Sequence, residues 1–142
     1  MAILNYTTSI TAEKTAGEIQ KKLAIAGANA VLSEYDNDGV LCAMSFRFNG
    51  LSFRLPININ GVYKAIEDDR KIPGRLKTYE QASRVAWRII KNWIEAQIAI
   101  IQAGQAEVEQ VFLPYAQNGT GQTVYEAIKN NGFKQLAHTT ND

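Results

Sequence analysis

Two side chains on which many enzymes depend are nearly missing from this chain. Among its 142 residues there is one cysteine, Cys42, and one histidine, His138. A single cysteine excludes an intramolecular disulfide and is typical of a protein from a reducing compartment. His138 lies in a polar tail, 138–142, that we expect to be frayed, and a frayed tail cannot hold an imidazole for nucleophilic catalysis. Too few cysteines and histidines are present for a zinc site, so we predict no catalytic residue, no metal and no cofactor.

A charge excess of one sign and a long hydrophobic run are also lacking. The formal net charge is +1, which predicts no global attraction to nucleic acid or to a membrane. The first ten residues contain no basic segment followed by an apolar run, so we expect no signal peptide. The most apolar stretch, 85–101, is interrupted by Arg88, Lys91 and Glu95, whereas a membrane span needs about 20 mostly apolar residues. We therefore expect a cytoplasmic protein without membrane contact.

The chain has the length and composition of one globular domain, 1–142, and its patterns predict an α+β fold. A first helix is predicted over 11–26, because small and aliphatic residues recur there at intervals of three and four. The charged residues of this helix are expected to face away from the core: Glu13, Lys14, Glu18, Lys21 and Lys22. Gly27 supplies a C-terminal stop.

A three-stranded antiparallel meander is predicted over 30–56. Its strands are 30–35, 40–48 and 51–55, and Asn49-Gly50 is the two-residue loop that most strongly favours a hairpin. This loop length sets the register, with Phe46 opposite Phe53 on an apolar face. The more open face then carries Arg47 opposite Ser52 and Ser45 opposite Arg54, so two arginines lie diagonally on one side of the sheet.

The second half of the chain is predicted to be mainly helical. Asn60 caps a short helix from Gly61 to about Asp69, and a basic connector follows at 70–77. Thr78 and Gln81 form a capping box for a long helix, 79–113, which either continues to Pro114 or breaks at Gly104. A loop and a last helix occupy 116–132, with Thr123 as the cap.

The long helix has two apolar stripes rather than one. The first contains Ala82, Val85, Ala86, Ile89, Trp93, Ala96, Ile100 and Ala103, and the second contains Trp87, Ile90, Ile94, Ile98 and Ile101. A helix that is apolar around so much of its circumference is either central in the fold or shared with another subunit. We expect a homo-oligomer interface here.

Three short polar motifs have ordinary structural explanations. The acidic cluster at 67–69 precedes Arg70 and Lys71 and is compensated locally. Glu34, Asp36, Asp38 and Gly39 resemble the start of a calcium loop, but Ser45 stands at loop position 12, where the loop requires a glutamate, which favours a plain turn. The segment 118–123 has glycines but no P-loop lysine, so turn and cap chemistry accounts for it.

Positive charge is concentrated between positions 70 and 91. Seven of the fifteen lysines and arginines lie there with one acid, Glu80. Arg84, Arg88 and Lys91, which we call the basic row, recur at four and three residues and share one helical face. Like charges at this spacing destabilise a helix slightly, so the row needs either acidic partners or an anionic ligand. Glu95 is expected to pair with Lys91 on the same helix. The other acidic partners are expected from Glu67, Asp68, Asp69, Glu107 or Glu109.

A ligand site is the alternative explanation of the basic row. Arginine suits bidentate contact with phosphate or carboxylate. The predicted ligand-binding residues are Arg84, Arg88 and Lys91, then Arg47, Arg54 and Arg75, with Trp87 or Tyr79 stacking on a base. The arginines of the sheet join the row if the long helix lies near the sheet edge.

Four segments give the chain a familiar appearance: FRLP at 53–56, RVAWRIIKNWIEAQ at 84–97, VFLPY at 111–115 and TVYE at 123–126. Together they resemble a group of small proteins encoded by phages and mobile elements, over most of the chain from Thr11 to Phe133. No activity is assigned to this group, so no functional residue is carried over. The resemblance implies an accessory factor acting on host systems, in the cytosol of the host cell.

Such small phage proteins include homo-oligomers that sequester nucleotide signals of host immunity in arginine-lined pockets, and the resemblance implies counter-defence of this kind. The resulting expectation is a non-enzymatic protein that binds an anionic, nucleotide-like small molecule. Two alternatives remain open at this point: a protein that binds nucleic acid, preferably single-stranded, and an inhibitor that contacts a host protein directly.

Overall fold

The computed structural model describes residues 2–137 and confirms the α+β class and the predicted order of elements. The three strands are β1 (Ala30–Tyr35), β2 (Leu41–Phe48) and β3 (Leu51–Arg54). The helices are α1 (Ala12–Ile25), α2 (Ile59–Asp68), α3 (Tyr79–Gln102), α4 (Val108–Phe112) and α5 (Val124–Asn130). Short 3-10 turns lie at Gly74–Leu76 and Leu113–Tyr115. The predicted frayed tail, 138–142, lies outside the described residues.

The hairpin at Asn49-Gly50 forms in the predicted register. Both turn residues have positive φ, 51° and 79°, which is the backbone that an Asn-Gly loop supplies. Phe46 pairs with Phe53, and their rings stack with centroids 5.1 Å apart on the core side of the sheet. The sheet has the order β1-β2-β3, with both pairs antiparallel.

Most of the two apolar stripes of α3 is covered within the chain, whereas Ala96 and Ala103 near its C-terminal end are exposed. Trp87, Ile94 and Ile98 join the cluster between α1, α3 and the sheet. Ala82, Val85 and Ala86 join a second cluster with residues of α2 and of the segments just before and after that helix. Helix α3 is therefore the central element of the fold, which accounts for most of its apolar circumference without a subunit contact. A homo-oligomer stays a prediction.

The predicted start of α2 is wrong, and the structure selects one of the two predicted forms of the long helix. Helix α2 begins at Ile59, because Oδ1 of Asn58, and not of Asn60, accepts a hydrogen bond from the Gly61 backbone N–H at 2.9 Å. The long helix ends at Gln102, and Gly104 takes φ +75°, a left-handed conformation that stops a helix. The continuous alternative, 79–113, is thus replaced by a break at Gly104 and a separate α4.

Within residues 2–137, none of the helices combines the length and the apolar character that crossing a membrane requires.

Candidate functional site

The centre of the basic row is an ion pair between two helices. Nη1 of Arg88 on α3 donates to Oε1 of Glu18 on α1 at 2.6 Å and to Oγ1 of Thr15 at 3.2 Å. The Arg88 side chain is 16% exposed, so this guanidinium lies mostly inside the helix seam. Its hydrogen bond lowers the pKa of Glu18 below the ordinary value of 4.5. Arg88 is therefore already occupied by a carboxylate of its own chain.

The flanking members of the row are also paired. Arg84 Nη2 lies 2.6 Å from Glu80 Oε1, one helical turn away. Lys91 Nζ lies 3.3 Å from Glu95, and Lys22 of α1 reaches the same carboxylate at 3.0 Å. The expected pair of Lys91 and Glu95 is confirmed, but none of the five other acids named as partners takes part.

Helix α1 supplies what the sequence reading missed. Glu18 and Lys22 were expected to face away from the core, yet both lie half-buried against α3 and pair with Arg88 and Glu95. The spacing of four residues between Glu18 and Lys22 places them on one side of α1, which was the available signal.

The predicted aromatic contacts are placed very differently. Trp87 is completely buried and its Nε1–H donates to the Leu41 carbonyl at 3.2 Å, which corrects the prediction that it stacks on a base. Tyr79 is 38% exposed and lines a cleft of about 370 Å³ together with Arg84, Glu13 and Glu80. Two carboxylates against one arginine make this cleft a poor site for an anion.

Arg75 lies apart from the other predicted ligand residues. It is exposed in the 3-10 turn Gly74–Leu76, on the connector between α2 and α3. Among the described residues, no hydrogen-bond acceptor and no ion-pair partner is found for the Arg75 side chain.

The arginines of the sheet lie together, on the face that was predicted. We call this the open face, and it consists of Ala30, Leu32, Glu34, Ala43, Ser45, Arg47, Ser52 and Arg54. Arg47 pairs with Ser52, and Arg54 pairs with Ser45, so the two arginines are diagonal neighbours on successive rungs of this face. Diagonal neighbours lie about 7 to 8 Å apart at the backbone, within reach of long side chains.

A shallow depression of about 460 Å³ covers this part of the open face. Leu32 and Glu34 line it from β1, Arg47 and Arg54 line it from the centre, and Gln117 closes it beyond β3. Gln117 is held there because its backbone N–H donates to the Ser52 carbonyl at 2.8 Å. The depression thus combines two guanidiniums and one carboxylate with two serine hydroxyls, an amide and an apolar side chain.

The charges of the open face are unequal. Arg54 Nη1 lies 3.2 Å from Glu34 Oε2, and both side chains are 44% exposed. Among the described residues, no acceptor or acidic partner is found for Arg47. Glu126 of α5 has its pKa lowered chiefly by hydrogen bonds from Thr123, with a smaller contribution from Arg54. Arg47 is therefore the guanidinium on this face that has a complete set of donors to offer.

The open face and the basic row lie on opposite sides of the sheet. Helices α1 and α3 pack on the side that carries Met44, Phe46 and Phe53. Arg47 and Arg54 project to the other side, so they do not join the basic row. The predicted ligand residues therefore form two separate groups rather than one pocket.

The polar loops are occupied by their own turn chemistry, as predicted. Oδ1 of Asp36 accepts from the backbone N–H groups of Asp38 and Val40, both at 2.9 Å. Oδ1 of Asn118 accepts from the backbone N–H groups of Thr120 and Gln122. These contacts use the donors that an anion at either loop would need.

Sequence reasoning did not include Glu34 or Gln117 in the site. Glu34 could have been predicted from the sequence, because alternation along β1 places Leu32 and Glu34 on the same side as Arg47. Gln117 could not have been predicted from the sequence, since the bridges Phe53–Ala116 and Gln117–Thr123 bring a distant segment to the edge of β3. No known family model, curated protein or solved structure matches this chain. The resemblance to phage proteins accordingly stays a prediction.

Proposed function

We propose that this protein is a non-enzymatic binding protein that takes a phosphate-bearing, nucleotide-type ligand on the open face of its sheet. The observation that carries the proposal is the diagonal pair Arg47 and Arg54, with Arg47 lacking an acceptor within the described residues. Two planar guanidiniums offer parallel donors that match phosphate oxygens, and such charge-assisted hydrogen bonds are roughly twice as strong as neutral ones.

The rest of the depression suits the remainder of such a ligand. Its volume of about 460 Å³ falls in the range of small-molecule sites. The Ser52 hydroxyl and the Gln117 amide supply uncharged donors and acceptors beside the arginines, and Leu32 supplies an apolar surface. The phosphate would lie between the arginines, and the sugar or base would extend over Leu32.

Glu34 is an internal competitor for the ligand. Its carboxylate is 3.2 Å from Arg54, so an incoming phosphate must share or displace it. An exposed ion pair of this kind contributes only about 0.2 to 1 kcal/mol, which a dianionic phosphate readily exceeds. Glu34→Gln removes both the competition and the repulsion, and we expect it to raise affinity about two- to fivefold.

Single-stranded nucleic acid is less well supported as the ligand. Binding without sequence preference relies on aromatic side chains for base stacking. The open face carries no aromatic side chain in residues 2–137, because Phe46 and Phe53 project to the core side. A compact nucleotide needs no such platform.

The deciding experiment is titration with a panel of mono-, di- and cyclic nucleotides, followed by calorimetry and thermal shift. A ligand at 100 times its Kd should add about 2.7 kcal/mol to the free energy of unfolding. The double variant Arg47→Ala, Arg54→Ala should lose binding at least tenfold. Arg75→Ala removes an exposed arginine away from the sheet and should bind like the natural protein. Absence of binding across the panel, or equal losses in both variants, would refute the proposal.

The biological setting follows from the resemblance stated above. We propose counter-defence, in which the protein sequesters a nucleotide signal of host immunity in the host cytosol. Expression in bacteria that carry a nucleotide-signalling defence should restore phage growth, and the Arg47→Ala, Arg54→Ala variant should not. Restoration by that double variant would separate any counter-defence role from the open face.

A further inference from the structure

The sheet has two edges, and one of them is covered. Along β3 the segment at 116–117 pairs with the outer backbone, through the Phe53–Ala116 bridge and the Gln117 N–H donated to Ser52. Strand β1 is bonded to β2 alone. Within residues 2–137, β1 therefore presents an edge of six residues whose outward N–H and C=O groups meet no other strand.

This edge lacks the features that usually prevent strand addition. Natural edge strands carry lysine, proline, inward charges or bulges. Strand β1, AVLSEY, has neither lysine nor proline, and its one charge, Glu34, is turned across the sheet to Arg54. The register shift next to Tyr35 leaves Cys42 as the extra residue, so the bulge lies in β2 and β1 itself stays regular.

The exposed surface of β1 is apolar on both sides of the strand. Leu32 on the open face is 59% exposed, and Tyr35 on the other side is 57% exposed. An unprotected apolar edge aggregates unless a matching strand covers it. Strand β1 of a second copy of this chain is a suitable partner. Two identical strands that pair antiparallel about a two-fold axis cover each other, so neither β1 edge remains free.

We infer that β1 pairs antiparallel with β1 of a second copy of this chain, so that two three-stranded sheets become one six-stranded sheet. Continuity of the open face requires residues of the same side to lie opposite one another. The register that meets this requirement with apolar contact places Leu32 opposite Leu32 at the two-fold axis. The neighbouring registers that also keep the face continuous, centred on Val31 and on Ser33, would place Leu32 opposite Ala30 and opposite Glu34, respectively.

Charge complementarity supports the Leu32 register. It sets Glu34 opposite Ala30 of the second copy, and Ala30 is the β-partner of Arg47. Glu34 and Arg47 of the two copies are then two strand spacings apart, about 10 Å between Cα atoms. Because Glu34 Oε2 is already paired with Arg54 of its own chain, the second carboxylate oxygen of Glu34 would accept from Arg47 of the second copy, above the small Ala30. The continuous face would carry four arginines and two glutamates, so it stays positive.

Cysteine cross-linking tests both the pairing and its register. In a Cys42→Ser background, Leu32→Cys places two thiols directly opposite at the axis, about 4.5 to 5.5 Å apart at Cβ. Mild oxidation should convert this variant to a covalent dimer. Ser33→Cys reports the register centred on Ser33. Ser52→Cys is a matched exposed control on the same face as Leu32. Both variants should stay largely monomeric on denaturing gels.

The natural chain should sediment as a dimer, at twice 15.7 kDa, at high micromolar concentration. Leu32→Lys places like charges at the axis and should raise the dimer dissociation constant at least tenfold. The circular dichroism spectrum and the Tm of the Leu32→Lys monomer should still be those of a folded chain. A monomeric natural protein, a dimer that Leu32→Lys does not weaken, or faster cross-linking at Ser33 would each overturn the inference. The dimer and the proposed ligand site share Arg47, since the dimer brings Glu34 of the second copy to it. Their failures are distinguishable, because nucleotide titration tests the ligand site, whereas mass and cross-linking test the dimer.

Discussion

The ion pair between Glu18 and Arg88 provides the sharpest test of what the basic row does. If the row is structural, separating this pair must cost stability, because it joins α1 to α3 in a mostly buried seam. The perturbation is a double-mutant cycle with Arg88→Met and Glu18→Gln, which keep the length of both side chains. The comparison cycle uses Arg84→Met and Glu80→Gln on the same helix.

The expected magnitudes follow from geometry and exposure. Both arginines lie 2.6 Å from their carboxylates, but Arg88 is 16% exposed, whereas Glu80 is 78% exposed. Hydrogen bonds to charged groups contribute about 1.5 to 3 kcal/mol when water is largely excluded. We expect a coupling energy of about 1 to 2 kcal/mol between Glu18 and Arg88. The exposed pair, spaced by four residues on one helix, should give about 0.3 to 0.5 kcal/mol.

Urea denaturation followed by circular dichroism measures the free energy of unfolding of each member of the two cycles. Arg88→Met alone should lower it by about 2 kcal/mol, because it also removes the hydrogen bond to Thr15. Nucleotide binding is measured on the same samples. Zero coupling at Arg88 together with weakened nucleotide binding would refute the structural assignment and restore the basic row as the ligand site.

Three further perturbations test the core, a helix cap and the pH response. Phe53→Ala removes a fully buried ring and should lower the free energy of unfolding by about 3 to 5 kcal/mol in urea titrations, whereas a loss below 1 kcal/mol would contradict its central position. Thr123→Ala removes the hydroxyl that accepts from the Glu126 N–H at 3.1 Å and should cost about 0.5 to 2 kcal/mol, seen as a lower Tm. The pKa values of Glu18 and Glu95 are lowered in the folded state by hydrogen bonds from Arg88 and Lys22, respectively. The stability that these two carboxylates contribute is therefore complete above the ordinary pKa of 4.5, and it is lost as the pH falls through their lowered pKa values. Tm should therefore fall on acidification below that pH, and Glu18→Gln should reduce the fall; an unchanged slope would contradict the assignment.

Local signals account for the parts of the fold that the sequence predicted correctly. The register of β2 and β3 follows from Asn49 and Gly50, since a two-residue loop permits one alignment. The start of α3 follows from Thr78, whose hydroxyl accepts from the Gln81 N–H at 3.0 Å. Both features depend on residues fewer than ten positions apart. The second half of the predicted capping box does not form, because the Gln81 side chain donates instead to the carbonyls of Tyr6 and Thr8, 75 and 73 positions away.

Competition between equivalent local signals explains the error at the start of α2. Asn58 and Asn60 are both able to cap α2, and the choice of Asn58 extends the helix so that Ile59 is buried in the second cluster. Packing decided between two caps that propensity does not separate. At Gly104 the sequence left two alternatives open, and the left-handed backbone there confirms the break rather than the continuous helix.

The candidate site divides along the same line between local and distant information. Arg47 and Arg54 were placed on one face by a hairpin register that acts over eight residues, and the structure has them there. The partner of Arg88 comes from α1, 70 residues away in sequence, and charge counting along α3 cannot find it. An apparent excess of one charge on a central helix is therefore weak evidence for a ligand, because the helices packed against it carry the compensating charges. On the open face the compensation is incomplete, because Glu34 pairs with Arg54 but no acceptor is found for Arg47 among the described residues. This is why Arg47, rather than the denser basic row, is the residue on which ligand binding should depend.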